Sequence, residues 1–112
     1  MKTLKGLIIG IILFGQSCSS EDTNFVQIIN SPDKFDGKEI EISGIYHEQF
    51  EDVAIYLNNN NDTEKAIWVD LESSHRNLDG QRIRLKGTFA MRDKGHLRQY
   101  IGTIKKTKII RD

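Results

Sequence analysis

The sequence predicts an all-β fold in which five short strands close into a small barrel. A ten-residue motif occurs twice, as FDGKEIEISG over residues 35–44 and as LDGQRIRLKG over residues 78–87. In both copies apolar and polar residues alternate, which is typical of a strand with one buried face. Each copy ends in a glycine within its strand, where the backbone of a small closed sheet has to bend. No long segment carries helical periodicity, and short strands of this kind favour a barrel over a sandwich.

The first 17 residues have the features of a secretory signal peptide and take no part in the predicted fold. Lys2 and Lys5 precede the apolar run LIIGIILFG, which is too short to cross a bilayer as a stable helix. Cys18 follows in GQSC, which resembles a bacterial lipobox with Gly15 in place of the usual leucine. The resemblance implies cleavage before Cys18 and attachment of a lipid to its thiol. The alternative is an ordinary signal peptide that leaves Cys18 as a free thiol.

Residues 18–24 are interpreted as a polar tether between the lipid and a single domain at residues 25–112. In lipoproteins of this kind, a serine directly after the cysteine usually accompanies outer-membrane sorting. The resemblance therefore implies a lipid-anchored protein of the cell envelope, on the periplasmic or the surface face of the outer membrane. The chain has one cysteine, so lipid attachment at Cys18 excludes both disulfides and a thiolate metal site.

The predicted domain begins with an ambiguous segment, residues 25–29, and continues with a single helical turn before strand 1. Ser31 and Pro32 provide an N-cap and an N1 proline for this turn, and Gly37 provides its end. An Asp-Gly pair precedes strand 1 and recurs before strand 4. Because glycine accepts positive φ without steric cost, each pair predicts the turn that starts its strand.

Apolar patterns define the five strands and the connections between them. The strands are KEIEIS (residues 38–43), VAIYL (53–57), AIWVDL (66–71), QRIRLK (81–86) and LRQYIGTIKKTKII (97–110). The polar segment NNNNDTEK predicts a hairpin loop between strands 2 and 3. SSHRN, residues 73–77, predicts a short helical turn between strands 3 and 4, and DKG, residues 93–95, predicts a tight turn before strand 5.

Charge is distributed unevenly along the chain, although the formal net charge is zero. Residues 19–75 contain 3 basic and 13 acidic residues, whereas residues 76–112 contain 11 basic and 3 acidic residues. The two motif copies show the same asymmetry, because Arg82 and Arg84 stand where the first copy has Glu39 and Glu41. Opposite charges across neighbouring strands attract each other. The pattern therefore predicts that strands 1 and 4 are adjacent.

Five segments together resemble the small OB-fold domains found in secreted or lipid-anchored bacterial proteins. They are SPDKFDGKEIEISG, AIYL, AIWVDL, LDGQRIRLKGTF and GHLRQYIGTI, and the resemblance covers residues 25–110. OB-folds are five-stranded Greek-key barrels, so the resemblance implies that strand 1 pairs with strands 2 and 4. It implies nothing about the ligand, because one fold serves many functions.

No catalytic, metal or cofactor motif stands out in the sequence. The nearest approach to an acid/base or metal cluster is His47-Glu48 with Glu51 and Asp52, which lacks a recognised ligand spacing. These residues are interpreted as a solvated loop or strand end. The chain also has no glycine-rich phosphate loop, nucleophile elbow or paired-cysteine motif. The sequence therefore predicts a protein that is not an enzyme and that uses no cofactor and no metal.

The leading functional prediction is a membrane-tethered binding module whose partner is an envelope protein, a glycan or a small ligand. One alternative is nucleic-acid binding through a basic strip on strands 4 and 5. The strip consists of Arg82, Arg84, Lys86, Arg92, Lys94, Arg98, Lys105, Lys106 and Lys108. An envelope location and 14 basic against 16 acidic residues in residues 18–112 argue against this alternative. The other alternative is a structural accessory subunit of an envelope assembly.

Tyr56 and Trp68 are the predicted ligand-binding residues. Apolar alternation points Val53, Ile55 and Leu57 to one side of strand 2, so Tyr56 should face outward, and the same phase turns Trp68 outward on strand 3. A hairpin centred on Asp62 would place the two rings opposite each other. Aromatic rings on this face of an OB-fold suit sugars, bases and protein anchors. The alternative is that residues 25–29 or a loop cover both rings, which would make them a second small core.

Overall fold

A computed structural model of the protein describes residues 20–110, and its side chains from Asn24 onward. The predicted signal peptide, residues 1–17, and the predicted lipid site, Cys18, lie outside the described residues.

The described part is mostly β. Helix α1 spans Ser20–Asn30, and the strands are β1 (Glu39–Gln49), β2 (Asp52–Tyr56), β3 (Ala66–Val69), β4 (Arg82–Ala90) and β5 (Thr103–Ile110). Short 3-10 turns occupy Pro32–Phe35, Thr63–Lys65, Arg76–Leu78 and His96–Arg98. No helix within residues 20–110 has the length and apolar character needed to span a membrane.

The five strands form one mixed sheet that closes in a ring, in the order β1-β2-β3-β5-β4. β1 pairs antiparallel with both β2 and β4, which confirms the predicted adjacency of strands 1 and 4. The β2–β3 and β4–β5 pairs are also antiparallel, whereas β3 and β5 run parallel. The pairing of β1 with β4 closes the ring.

β1 changes from one partner strand to the other at Ile45. Ile45 pairs with Arg82 of β4 and also with Tyr56 of β2, so the two ladders meet at this residue. Gly44, the residue before Ile45, lies so close to β2 that a Cβ there would lie 2.5 Å from the carbonyl oxygen of Tyr56. A Cβ on Gly87 would likewise lie 2.6 Å from a backbone oxygen of β5. The two glycines of the repeated motif therefore lie where neighbouring backbones approach closely, whereas the sequence predicted a backbone bend at these positions.

Helix α1 includes the segment whose pattern was ambiguous, residues 25–29. It begins at Ser20, so five residues of the predicted tether, residues 20–24, are helical. Phe25 and Ile28 are three residues apart and share one helix face, and both are completely or almost completely buried. Burial of this apolar face against the sheet stabilises a helix that is too short to be stable alone.

The core lies inside the ring and beneath α1. It is built from the inward-facing side chains of all five strands together with the two buried residues of the helix. Its members are Phe25, Ile28, Ile40, Ile42, Tyr46, Ile55, Ile67, Val69, Ile83, Leu85, Phe89 and Ile104. The alternation of the repeated motif is therefore an inward–outward alternation, as predicted.

The outer faces of β1 and β4 carry the predicted opposite charges. Glu41 lies directly opposite Lys86 in the ladder, and its Oε2 is 3.4 Å from Nη1 of Arg84. Glu39 Oε1 lies 4.0 Å from Nζ of Lys86. The acidic and basic copies of the motif are thus neighbours, and their charges pair across the ladder.

Two predicted elements lie elsewhere than expected. Strand 5 was predicted from residue 97, but β5 begins at Thr103, because Leu97 and Arg98 adopt φ values of 55° and 58°, and two successive residues in this region interrupt an extended strand. The helical turn before strand 4 was predicted at residues 73–77 and is found at Arg76–Leu78. The turn before strand 1 is confirmed at Pro32–Phe35, with Pro32 at its first position.

Candidate binding site

Two loops meet beside β2 and are held together by side chains. One is the turn Phe50-Glu51 between β1 and β2, and the other is residues 91–102 between β4 and β5. We call these two segments the loop pair. Oε1 of Glu51 lies 3.3 Å from Nε2 of His96. Asp52, the first residue after the turn, accepts a hydrogen bond of 2.9 Å from the hydroxyl of Tyr100.

The loop pair presents two large apolar side chains to solvent. Phe50 is 89% exposed and Leu97 is 71% exposed. Each is the chain neighbour of one member of the Glu51–His96 contact, so both exposed side chains lie one residue from the contact that joins the two loops. A single exposed apolar residue is ordinary, but two on adjoining loops form the kind of feature that marks interaction sites.

The backbone of the loop pair is strained beside both exposed residues. Glu51, Leu97 and Arg98 have φ values of 63°, 55° and 58°, a region that residues other than glycine enter at a cost of about 1–2 kcal/mol each. Backbone hydrogen bonds hold residues 94–100 in this shape, including one of 3.0 Å from the N–H of Tyr100 to Lys94 O. Strained backbone of this kind concentrates at functional sites, where the surrounding structure maintains it.

Asp52, at the start of β2, stabilises the loop pair through hydrogen bonds. Its Oδ1 accepts hydrogen bonds from the hydroxyls of Tyr56, at 2.8 Å, and Tyr100, at 2.9 Å. Its Oδ2 lies 3.1 Å from Nδ1 of His47, whose ring contacts the ring of Tyr56 in a tilted arrangement with 4.2 Å between ring centroids. Burial and the neighbouring carboxylate raise the pKa of Tyr100 to about 12, and burial likewise raises the pKa of Tyr56 far above its usual range. Both hydroxyls therefore stay protonated and donate to Asp52.

The two predicted ligand-binding residues lie under the loop pair rather than on an open face. Tyr56 is 3% exposed. Trp68 is half-buried and meets Tyr100 edge-to-face, with ring centroids 5.2 Å apart. Residues 91–102 pass so close to Trp68 that a Cβ on Gly95 would lie 2.9 Å from Trp68 Cβ. The rings belong to a second small core, which corresponds to the alternative that the sequence left open.

The predicted centre of the β2–β3 hairpin is wrong by one position. Tyr56 pairs with Ala66, and Trp68 pairs with Ala54, so the two rings are diagonal neighbours on the same face. The loop closes with a 3.1 Å bond from the N–H of Leu57 to Lys65 O. Asp62 does not stand at the loop centre, because its Oδ1 caps the 3-10 turn Thr63–Lys65.

The residues around His47 separate into different contacts instead of forming one cluster. His47 bonds Asp52, whereas Glu48 points to the other face of β1 and bonds the loop after β3. Glu48 accepts hydrogen bonds from the hydroxyl of Tyr46, the hydroxyl of Ser74 and the N–H of His75. Both residues lie at a strand end as predicted, but they are hydrogen-bonded and not fully solvated. No group of three potential metal ligands occurs within residues 20–110.

The exposure of Phe50 and of Leu97 was not predicted from the sequence, for a different reason in each case. Phe50 is a lone aromatic in the polar segment HEQFED between two strands, and that isolation is a signal that could have identified it. Leu97 carries no such signal, because it begins the segment LRQYIGTIKKTKII, which was predicted to be a strand. Only the loop conformation around Leu97 shows that its side chain faces solvent.

Comparison of the chain with protein-family models, with curated proteins and with solved structures found no match.

Proposed function

We propose that the protein is a non-catalytic binding module of the cell envelope that holds a protein partner on the loop pair. The observation that carries this proposal is the exposure of Phe50 and Leu97 on two loops joined by the Glu51–His96 contact. A few residues supply most of the binding energy at protein interfaces, and an aromatic or aliphatic side chain that fills a pocket of the partner can serve as such an anchor. The bonds to Asp52 hold the turn in place before binding, so less conformational entropy is lost when the partner docks.

The shape of the site favours a protein over a glycan or a small ligand. Small molecules bind in concave pockets, whereas Phe50 and Leu97 project outward from the loops. A sugar would stack on the flat face of an aromatic ring, but Tyr56 is buried and Trp68 packs against Tyr100. A projecting pair of apolar side chains suits a hydrophobic cleft on another protein.

The proposal includes an OB-fold for residues 25–110. The ring order β1-β2-β3-β5-β4 and the pairing of β1 with both β2 and β4 support it. OB-folds bind their ligands on strands 2 and 3 and on the loops between strands 1 and 2 and between strands 4 and 5. The loop pair consists of these two connections, so its position agrees with the proposed fold.

The partner is proposed to lie close to the membrane. Only Ser19 separates the proposed lipid site, Cys18, from the first helical residue, Ser20. An anchor so near the folded part would keep the domain close to the bilayer. Confinement of this kind raises the effective concentration of a membrane-proximal partner, so weak contacts suffice for binding.

The nucleic-acid alternative receives less support from the geometry. Three members of the basic strip already face carboxylates: Arg84 faces Glu41, Lys86 faces Glu39, and Lys105 Nζ lies 3.1 Å from Asp93. Phosphates would have to compete with these carboxylates for the same cations.

The accessory-subunit alternative differs from the main proposal only in how long the complex lasts. A stoichiometric complex that survives purification would favour this alternative.

A site-specific photocrosslinking experiment in intact cells tests the proposal. A photoreactive amino acid replaces Phe50 or Leu97 in the full-length protein, and replaces Asn60 as a control on the exposed β2–β3 loop. We expect one discrete crosslinked protein from positions 50 and 97 and none from position 60. Adding Leu97→Ser to the position-50 probe should reduce the adduct without changing the melting temperature of the purified protein. Equal adducts from position 60, or none from positions 50 and 97, would show that the loop pair is not the binding surface.

A further inference from the structure

One edge of β5 is left open where β3 ends. β3 pairs with β5 through only two residue pairs, the last of which is Val69↔Ile104. The contact ends with a 3.0 Å bond from the N–H of Asp70 to Ile104 O. β5 continues to Ile110 and keeps β4 on its other side. Among the described strands, none pairs with residues 105–110 on the edge that faces away from β4.

A bulge in β5 accompanies the separation of the two strands. Lys106 has a φ of 55°, and the β4–β5 register shifts between Lys86 and Thr88. A bulge bends the strand that carries it and often lies next to a functional site. β3 ends at Val69, and beyond the bulge a gap lies between β5 and the residues that follow β3.

The gap is a groove with a volume of about 820 Å³. Its lining residues are Asp70, Leu71, Glu72, Ser73, His75, Lys106, Thr107, Lys108 and Ile109. Leu71 and Ile109 pack against the core and form its apolar part. Lys106 and Lys108 are exposed along the β5 wall, and Asp70 and Glu72 are exposed on the opposite wall. The groove therefore combines an open strand edge, an apolar floor and one basic wall.

An open strand edge accepts an extended peptide through main-chain hydrogen bonds, and the neighbouring side chains select its sequence. Two lysines two positions apart on this edge favour acidic residues at alternate positions of the added strand. They disfavour a second copy of the same edge, because lysines would then face lysines. The occupant that fits is therefore an acidic segment of another protein.

β1 and β4 already form a strand pair in which acidic side chains of one strand face basic side chains of the other. In β1, Glu39 and Glu41 alternate with buried isoleucines, and the two carboxylates face Lys86 and Arg84 of β4. The edge of β5 repeats the basic half of this arrangement, with Lys106 and Lys108 outside and Ile109 toward the core. It lacks the acidic strand that β4 has.

We propose that the groove binds an extended acidic segment of a partner protein as an additional strand on β5. Acidic side chains at alternate positions face Lys106 and Lys108, and an apolar side chain between them contacts Leu71 and Ile109. Asp70 and Glu72 repel the acidic side chains from the opposite wall, so these side chains turn toward β5. The groove is separate from the loop pair, and the inference does not depend on the function proposed for that site.

Binding of short capped peptides to the full-length protein in detergent tests the inference. The probe is ETEIETE, which has alternating acidic residues around one isoleucine, and the controls are the scrambled EETITEE and the basic KTKIKTK. Each peptide is titrated by fluorescence anisotropy, and backbone amide shifts are followed by NMR. We expect ETEIETE to bind at least about tenfold more tightly than either control, with amide shifts centred on residues 105–110. Equal binding of ETEIETE and EETITEE would overturn strand addition, as would shifts confined to other residues.

Two matched variants test the role of each wall. Lys106→Glu with Lys108→Glu should weaken ETEIETE binding by about tenfold or more and should invert the preference in favour of KTKIKTK. Asp70→Asn with Glu72→Gln removes the repelling charges of the opposite wall and should strengthen ETEIETE binding. As a control at the other site, Phe50→Ser with Leu97→Ser should leave ETEIETE binding unchanged. Circular dichroism confirms that each variant is folded. Weaker binding in the Asp70→Asn, Glu72→Gln variant would mean that the peptide uses the acidic wall, and the inference would be wrong.

Discussion

At the scale of single residues, two carboxylates position the loops around β1 and β2. Asp52 holds the loop pair through Tyr56 and Tyr100, and Glu48 holds the loop after β3. They lie four positions apart in the sequence yet serve opposite faces of the sheet. Each accepts several hydrogen bonds in a partly buried setting, where bonds to a charged group contribute more than neutral ones. The sequence marked both residues as polar but contained no sign of these partners.

The Glu48 contacts predict an acid-sensitive contribution to stability. Burial alone would raise the pKa of Glu48, but hydrogen bonds from Ser74, Tyr46 and the N–H of His75 lower it below the ordinary value of 4.5. A lowered pKa means that the ionised form stabilises the fold at neutral pH and that this stability is lost as pH falls below about 4.5. We expect Glu48→Gln to lower the free energy of unfolding at pH 7 and to flatten its decline between pH 5 and pH 3.

Urea unfolding of both proteins across this pH range measures the effect. Glu72→Gln is the matched control, because Glu72 is exposed, and its removal should change the stability by less than about 0.5 kcal/mol. Parallel pH profiles for the wild type and Glu48→Gln would contradict the prediction.

At the scale of elements, the ladder between β1 and β4 is the part that the sequence described best. Its charges, glycines and alternation all follow from the repeated motif, since each depends on residues close together in the chain. α1 and the start of β5 were not predicted, because their conformations depend on what they pack against. Phe25 and Ile28 become a helix face only against the sheet, and Leu97 leaves the strand pattern because residues 94–100 fold over Trp68.

The β1–β4 ladder predicts a measurable coupling between Glu41 and Arg84. Glu41→Arg places a cation beside Arg84 and Lys86 and should destabilise the protein modestly. Adding Arg84→Glu restores an opposite pair and should recover part of the loss. Because both side chains are partly exposed, we expect a coupling of at most ~1 kcal/mol in a double-mutant cycle measured by chemical denaturation.

A second cycle provides the control for this coupling. Arg76→Glu, on the 3-10 turn before β4, replaces Arg84→Glu and should be additive with Glu41→Arg. Additive behaviour of Glu41→Arg and Arg84→Glu themselves would show that the pair contributes nothing to stability.

At the scale of the whole molecule, the ring places two candidate surfaces at different positions around one core. The loop pair joins the β1–β2 and β4–β5 connections, and the groove lies where β3 and β5 separate. β5 is common to both, because residues 91–102 precede it and the groove follows its open edge. A partner held at the loop pair and a second segment in the groove could therefore occupy the domain at the same time.

Anchoring of the whole molecule through Cys18 is tested by lipid labelling. We expect the wild-type protein to incorporate radioactive palmitate and to sediment with membranes, because Cys18 lies at the end of a signal-like segment. Cys18→Ser should abolish the label, whereas Ser19→Ala, one residue further on, should retain it. Label in the Cys18→Ser variant, or its absence from the wild type, would contradict lipid attachment at this position.

The sequence by itself determined the β-rich fold and the approximate places of the strands. It also determined that the two motif glycines lie within strands and that β1 and β4 are adjacent. These features depend on alternation, turn residues and local charge, which are properties of short segments. Tertiary structure alone decided that Tyr56 is buried, that Phe50 and Leu97 are exposed, and that β3 leaves one edge of β5 open. Each of these depends on how far a loop reaches across the sheet or where two distant strands part. Contacts between residues far apart in the chain set such distances, and no local pattern records them.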